Sequence, residues 1–331
     1  MFRITPIGSC RIYGPLREFG EGQRFQLNAK RVFGLMHSSA EAVQQMHAFT
    51  SDFSCEEDLW QLIAKGKDYE KFQAEVHEKS NLYIVELSSA KVLKIGDTVL
   101  QLNYLNSQFS DFFSDNRRAV AFTQACMRNS PAAVSAFLKD AWDSTPEQRK
   151  ESDILRRIEI SMATEDSIYE DICKLQEGLD EVMIVTHVNA KNENSAPLLS
   201  REKYINQVIA AAKRAGAPLY NPTDLMEKVG QDKAIEDHST AFAHFTGTFN
   251  GLIFADWYEH KLLPLIEQAI HEAPDENTKS MLLPVVDGVL ESGSAAQAEL
   301  LRALFDTLKR DFPKLGSLEP LRQKLEEHPK A

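Results

Sequence analysis

The sequence predicts an α/β protein with a doubly wound parallel sheet of five strands, and two observations lead to this prediction. Short, continuous apolar runs alternate with amphipathic helical patterns up to about residue 260, and such runs are typical of strands that are buried on both faces. Polar residues follow directly after these runs, as expected where the loops of a parallel sheet gather at one edge. The predicted strands are 2–8, 30–36, 81–87, 181–188 and 217–220.

The segments between the strands carry helix and turn signals in order. SAEAVQQMHAF after the second strand has apolar residues at helical spacing. SREKYINQVIAAAKRAG after the fourth predicts a helix with a serine cap at Ser200, an acidic residue in its first turn and a stop at Gly216. KVLKIGDTVLQLN predicts a hairpin about IGDT, hung off the third strand.

Two stretches fall outside the alternating pattern. Residues 105–179 read as helical and are far longer than a normal crossover, so they predict a helical insertion over the sheet edge. The α/β domain is therefore expected over 1–260, and 261–331 is expected to be a helical extension, broken at Pro274, 292–294 and Pro313. Its apolar stripes predict packing against the body or against a second copy of the chain, which would make a homo-oligomer.

Composition excludes several classes of protein. A formal net charge of -12 argues against a broad nucleic-acid interface. No apolar run has the length of a membrane span and no signal-peptide pattern is present, which predicts a cytoplasmic protein. The chain has neither a glycine-rich dinucleotide fingerprint nor a Walker lysine motif, and no zinc-type spacing, so we expect no cofactor and no metal. The cysteines are predicted to be free thiols: Cys10, Cys55, Cys126 and Cys173.

The first strand ends in Gly8, Ser9 and Cys10. A strand-to-helix junction at the carboxyl edge of a parallel sheet offers free backbone N–H groups and the positive end of the helix dipole, which would expose and acidify a thiol. The alternative is that Gly8 serves the turn, Ser9 caps the helix and Cys10 is a small buried residue.

Polar residues also follow the other four strands, and together they favour a catalytic or binding edge over a coincidence of helix caps. For His187 alone, a buried structural hydrogen bond is the favoured interpretation. The residues at these strand ends are His37, Ser38, Ser39, Ser88, Ser89, Lys91, His187, Asn189, Asp237, His238 and His244.

The order of these segments resembles that of the SGNH, or GDSL-like, hydrolase superfamily. A nucleophile follows the first strand, a small-residue segment the second, a polar segment the third, and a histidine comes late. GSC (8–10) is similar to the GSC-type members, in which Gly-Ser-Cys replaces Gly-Asp-Ser. RVFGLMHSSAEA, VMIVTHVNA and GAPLYNPTDLM with AHFT resemble segments of bacterial members, some linked to surface-polysaccharide assembly. The resemblance covers roughly residues 1–260 and implies a flavodoxin-like sheet.

Carried over by position, the resemblance implies that Cys10 is the nucleophile, while Ser9 falls at the family's aspartate position. The backbone N–H after Cys10, together with Gly34 in the second block, is expected to stabilise an oxyanion. The family's third-block asparagine is absent from this chain. The candidates to replace it are Ser88, Ser89 and Asn189.

The last block departs from the family pattern. It should read Asp-x-x-His, but aligning the histidine with His244 puts Ala241 at the aspartate position, so Asp237 is the candidate to orient the imidazole. The alternatives are that His244 is a hydrogen-bonded core histidine or a partner-facing one among its aromatic neighbours, and that Asp237 and His238 belong to a solvated loop.

The resemblance implies an acyl ester hydrolase or acyltransferase that works through a Cys–His pair and a thioester intermediate, with a glycan or another acylated small molecule as substrate. Water as acceptor makes an esterase, and a sugar hydroxyl or amine makes a transferase. Two alternatives remain open: a non-catalytic protein that binds a glycan or acyl carrier, and an interaction platform made of the helical insertion and tail.

Overall fold

The structure is a computed structural model that describes residues 2–20, 25–50, 53–128, 130–192, 196–236, 244–265, 268, 278–293, 295–311 and 318–327. Its strands are β1 (Arg3–Ile7), β2 (Gln26–Leu27), β3 (Leu82–Leu87), β4 (Lys91–Ile95), β5 (Thr98–Leu100), β6 (Glu159–Met162), β7 (Val182–Thr186) and β8 (Leu219–Tyr220). Five of them form a parallel sheet in the order β2-β1-β3-β7-β8. This order is flavodoxin-like, and it confirms the predicted five-stranded parallel sheet.

Helices cover both faces of this sheet. Along β3, Tyr83 and Val85 point into one apolar core, and Leu82 and Ile84 into the other, as the alternation of a strand requires. The helices are α1 (Cys10–Gly20), α2 (Ser39–Phe49), α3 (Trp60–Ile63), α4 (Tyr69–Ala74), α5 (Leu102–Gln108), α6 (Ser110–Phe113), α7 (Asn116–Met127), α8 (Pro131–Ala141), α9 (Pro146–Leu155), α10 (Glu165–Gly178), α11 (Leu199–Arg214), α12 (Pro222–Val229), α13 (Gln231–Ala234), α14 (Gly247–Trp257), α15 (Thr278–Ser292), α16 (Ala295–Asp311) and α17 (Glu319–Glu326).

The strand predicted at 30–36 is wrong, because the edge strand is β2 and residues 30–36 are irregular. Arg31 and Gly34 have positive φ angles of 56° and 126°, which no strand adopts. The Arg31 side chain is 2% exposed. Its guanidinium donates to the backbone carbonyls of Ala48, Thr50, Phe72, Gln73 and Glu75. The buried Arg31 side chain therefore anchors this segment to α2 and to the region of α4, and the segment meets the end of β1 at a parallel bridge between Leu35 and Gly8.

Two predicted helices are present, but the predicted cap of one of them is wrong. The helix over 39–49 is confirmed as α2, which Ser38 caps in a capping box with Glu41. Ser200 is not a cap, because α11 begins at Leu199 with Leu198 as its N-cap residue. At the other end, Gly216 has a φ of 65° just beyond the last turn, as the predicted stop requires.

The hairpin predicted about IGDT is confirmed as β4 and β5. The stretch 105–179 is helical except at β6, which pairs antiparallel with β4 and completes a separate three-stranded sheet. The sequence of β6, EISM, is short and exposed at three of its four residues, so it lacks the apolar run that identifies the buried strands.

The described part of the tail is helical, in α15, α16 and α17. Leu282, Leu301 and Leu325 belong to the same apolar cluster as Ile4 of β1 and Trp257 of α14, so these helices pack against the body of the chain. Among the described residues, no helix combines the length and the apolar character needed to cross a bilayer.

Candidate active site

The turn after β1 exposes Cys10 at the first position of α1. A Cβ added at Gly8 would lie 2.7 Å from the Cβ of Glu86, so the close approach of β3 requires glycine there. Ser9 is buried, its carbonyl accepts from the N–H groups of Ile12 and Tyr13, and its hydroxyl accepts from the N–H of the next residue but one. Ser9 therefore caps α1, whereas the interpretation of Cys10 as a buried residue is wrong.

His244 approaches Cys10 from the segment before α14, with 3.8 Å between Cys10 Sγ and His244 Nδ1. The backbone holds this histidine, because Glu236 N donates to the His244 carbonyl at 3.0 Å and Ile235 forms an antiparallel bridge with Phe245. The distance is within hydrogen-bonding range for a sulfur atom. A thiol and an imidazole in this geometry can exchange a proton.

A buried ion pair lies directly beneath the turn. Arg11 contacts Glu86 Oε1 through Nε at 2.6 Å and through Nη2 at 2.5 Å, and Ser9 N donates to Glu86 Oε2 at 2.8 Å. Burial alone would raise the pKa of Glu86, but the Arg11 guanidinium and the two donors of Ser9, its hydroxyl and its backbone N–H, outweigh burial and hold this pKa below its usual value. The carboxylate therefore stays ionised and ties α1 to β3.

A hydrogen-bonded chain orients the hydroxyl of Ser88, which follows β3. Asn103 Nδ2 lies 3.3 Å from His37 Nε2, and His37 Nδ1 lies 2.9 Å from Ser88 Oγ. Burial lowers the pKa of His37, so its imidazole is neutral at pH 7. Since the Asn103 amide nitrogen is a donor, His37 Nδ1 carries the proton and donates to Ser88, which leaves the Ser88 hydroxyl hydrogen free to point elsewhere.

A buried histidine and three basic side chains form another part of the site. His187 Nδ1 donates to the Val188 carbonyl at 2.7 Å, and burial, with Arg11 and Arg201 nearby, holds its pKa well below the usual value. This is the predicted structural histidine. Burial, followed by the charge of Arg11, lowers the pKa of Arg201 to about 10, so it remains charged at neutral pH. With Lys91 these two arginines line the site and favour anionic groups on a ligand.

A cavity of about 450 Å³ joins these groups. It brings together predicted strand-end residues, namely Ser9, Cys10, His37, Ser88, Ser89, Lys91, His187 and His244, with residues that were not predicted, among them Arg11, Glu41, Gln101, Asn103 and Arg201.

Two other predicted residues, Gly34 and Asn189, are not among the described residues that line this cavity. Gly34 lies against the Tyr104 hydroxyl, which accepts from the N–H of Leu35 at 2.8 Å. Asn189 uses its backbone N–H on Thr223 Oγ1, and it is not a lining residue. Asp237 lies outside the described residues, as do His238 and Ala241.

Sequence reasoning missed Arg11, Glu86, Glu41 and Gln101. A signal for the ion pair does exist: Glu86 is the one charged residue inside the apolar run NLYIVEL, and Arg11 follows the cysteine. An acidic residue in a fully buried strand requires a cationic partner. No comparable signal identifies Gln101.

Comparison with known proteins identifies the family of this chain and a curated relative. The family model of the TviD N-terminal domain matches residues 2–260. The Vi polysaccharide biosynthesis protein TviD of Salmonella typhi is 33% identical over 257 residues, which are 77% of this chain but 31% of that protein, so the match spans about a third of the relative's length. No solved structure matches the chain. Since the family match extends over most of the sequence, the chain belongs to the TviD N-terminal domain family.

Proposed function

We propose that this chain transfers acyl groups in bacterial polysaccharide biosynthesis, with Cys10 as the nucleophile and His244 as its base. The observation that carries the proposal is the 3.8 Å approach of His244 Nδ1 to the exposed Cys10 Sγ. The relative is named a polysaccharide biosynthesis protein. A biosynthetic setting favours a sugar hydroxyl over water as the acceptor, and thus transfer over hydrolysis.

In this reaction His244 takes the proton of the Cys10 thiol, and the sulfur attacks the carbonyl carbon of an acyl donor. The tetrahedral intermediate collapses to a thioester as the leaving group takes the proton from the imidazolium. An acceptor hydroxyl then attacks the thioester and gives its proton to His244. The C–S bond breaks, the acyl ester forms, and the imidazolium returns a proton to the Cys10 sulfur.

The proposed oxyanion donor is the Ser88 hydroxyl. His37 Nδ1 already donates to Ser88 Oγ, so the remaining hydroxyl hydrogen is available to an oxygen in the cavity. The N–H of Arg11, the group after the nucleophile, is engaged at 3.3 Å by Ser9 Oγ. Ser88 would thus take the role of the family's third-block asparagine, supplying an electrostatic contact that strengthens as charge develops.

Two features support an SGNH-type assignment. The sheet order is the one expected, and Cys10 follows its first strand while Ser88 follows its third. The orienting carboxylate is proposed to be Asp237. If it acts on the imidazolium, Asp237→Asn should lower kcat with little change in KM.

The test is acylation of the intact protein by an activated acyl ester, read by mass spectrometry and peptide mapping. We expect one acyl group on Cys10, complete loss in Cys10→Ala, and a measurable rate in Ser9→Ala. The matched control is Cys55→Ala. Burial raises the pKa of Cys55 to about 11, so about 10⁻⁴ of that thiol is ionised at pH 7 and its loss should change nothing. Acylation that persists without Cys10, or none in the wild type, would refute the proposal, and the second result would favour a binding protein.

A further inference from the structure

One end of the cavity holds two buried polar atoms that have no partner among the described residues. They are Glu41 Oε1 and Gln101 Nε2. Both residues line the cavity, and they are 6% and 2% exposed. The aliphatic residues in the wall of the same cavity are Leu35, Leu93, Leu100 and Leu102, two of which are the chain neighbours of Gln101. A buried polar atom without a partner is rare in a folded protein, and it is explained most simply by a ligand or water that the cavity receives.

The packing of α2 on β5 brings together the two segments that carry these side chains. Gln44 Nε2 donates to the Val99 carbonyl at 2.8 Å, and Val99 N donates to Gln44 Oε1 at 2.7 Å. From this contact, Glu41 lies about one turn back toward the start of α2, and Gln101 lies two residues further along the chain. Because α2 begins and β5 ends at the cavity, both side chains reach it.

The remaining polar atoms of both side chains are fully used, which fixes their orientation. Glu41 Oε2 accepts from His37 N, Ser38 N and Ser38 Oγ. Gln101 Oε1 accepts from Tyr104 N at 3.0 Å and so caps α5. Turning the Gln101 amide over would set its NH₂ against that N–H. The pair thus presents one donor, Gln101 Nε2, and one oxygen, Glu41 Oε1, which accepts when the carboxyl is ionised.

We propose that this end of the cavity is a subsite for a secondary amide that carries an apolar group. The amide carbonyl accepts from Gln101 Nε2, the amide N–H donates to Glu41 Oε1, and a methyl or methylene group packs on the leucines. A lone hydroxyl would also satisfy both polar atoms, but it would leave the leucines facing a polar sugar ring. The inference rests on the proposed function, because it assigns the amide to the substrate of the Cys10 site.

Two kinds of substrate carry such an amide: the acetamido group of an amino sugar, and the pantetheine arm of an acyl carrier. Direct binding distinguishes them, with N-acetylglucosamine, glucose and pantetheine as probes, measured by ligand-observed NMR on the full chain in reducing buffer. Binding needs no turnover, so its failure is separable from failure of acylation at Cys10. We expect N-acetylglucosamine or pantetheine to bind at least about tenfold more tightly than glucose, as two buried hydrogen bonds require.

The variants Gln101→Glu and Glu41→Gln test the two atoms separately. Each variant keeps the side-chain oxygen that accepts from a helix N-terminus. Gln101→Glu replaces the donor Nε2 by an acceptor oxygen, and Glu41→Gln replaces the acceptor Oε1 by a donor NH₂ group. Each should weaken the amide probe about tenfold. The control is Gln148→Glu, the same substitution in the capping box of α9, at a residue that does not line the cavity; it should leave binding of the probe unchanged.

Binding of N-acetylglucosamine alone identifies an amino sugar, and binding of pantetheine alone identifies a carrier arm; both outcomes support the subsite. Equal binding of glucose and N-acetylglucosamine would overturn the amide subsite and indicate a site for a sugar hydroxyl. This comparison uses the wild type, so it holds even where a variant fails to fold. Unchanged amide binding in both folded variants would also overturn it.

Discussion

The buried Arg11–Glu86 pair allows a sharp test of how the turn at Cys10 is held in place. The perturbation is Glu86→Gln, which keeps the shape of the side chain and removes its charge. A glutamine offers one oxygen, so it can accept from Arg11 or from Ser9 N but not from both. With the oxygen toward Arg11, the amide NH₂ faces the Ser9 N–H, and two donors meet in a buried site.

The magnitude follows from burial. The side chains of Arg11 and Glu86 are 9% and 1% exposed in their ion pair. Removing one partner of such a pair leaves an uncompensated charge and costs about 3–5 kcal/mol of stability. Glu78 provides the matched control, since it pairs with Arg3 at 2.7 Å but its side chain is 48% exposed. Glu78→Gln should therefore cost no more than about 1 kcal/mol.

Urea denaturation of the two variants and the wild type, followed by circular dichroism at one pH, measures both losses. The rate of Cys10 alkylation by iodoacetamide, taken on the folded proteins, shows whether the turn has moved. If Glu86→Gln and Glu78→Gln destabilise the protein equally, the reasoning that the buried pair secures the turn is wrong.

Three further outcomes are expected. Burial raises the pKa of Glu41 from 4.5 to about 7 against the opposing hydrogen bonds of Ser38 and His37, so the folded state holds this proton more tightly than the unfolded state. The stability of the wild type relative to Glu41→Gln should therefore fall by about 3 kcal/mol as the pH rises from 4.5 to 7 in urea titrations. A difference that does not change with pH would contradict the raised pKa of this carboxyl. Ser88→Ala should lower kcat about 10²-fold on an activated ester with KM nearly unchanged, and His37→Ala should do the same without adding to it in the double variant, because the two act as one chain; additive losses would separate them. Gly8→Ala should cost about 1–3 kcal/mol by overpacking against Glu86, compared with almost nothing for Gly247→Ala, whose added Cβ meets only a side-chain oxygen at 3.8 Å; equal melting temperatures for the two variants would show that β3 can yield.

The central strands were predictable because each is an uninterrupted apolar run that needs cover on both faces. The second strand was not, although KRVFGLM reads as apolar. The conformation there is decided by Arg31, whose guanidinium binds carbonyl groups from α2 and from the segment around α4. Such contacts between distant parts of the chain override local propensity.

The candidate site divides in the same way. Cys10 and His244 were predictable, since one sits at a strand end and the other in a late polar segment. The presence of Glu41 and Gln101 in the same cavity was not predictable, because it depends on how α2 packs against β5. The hydrogen bonds between Gln44 and Val99 fix this packing. The surroundings of Gly34 have a related cause, because the Tyr104 hydroxyl occupies the space beside it.

The pKa values of the two buried carboxyl groups shift in opposite directions, upward for Glu41 and downward for Glu86. The reason lies in the order of residues along the chain. Glu86 has a cation against it, because Arg11 follows Cys10 directly, whereas the oxygen of Glu41 that faces the cavity has no cation bound to it among the described residues. Glu86 lies two residues before Ser88, and Arg11 lies one residue after Cys10. A single buried contact therefore sets the position of the proposed nucleophile relative to the proposed oxyanion donor. A substitution that loosens this contact should lower kcat as well as stability, even though neither partner need touch the reacting atoms.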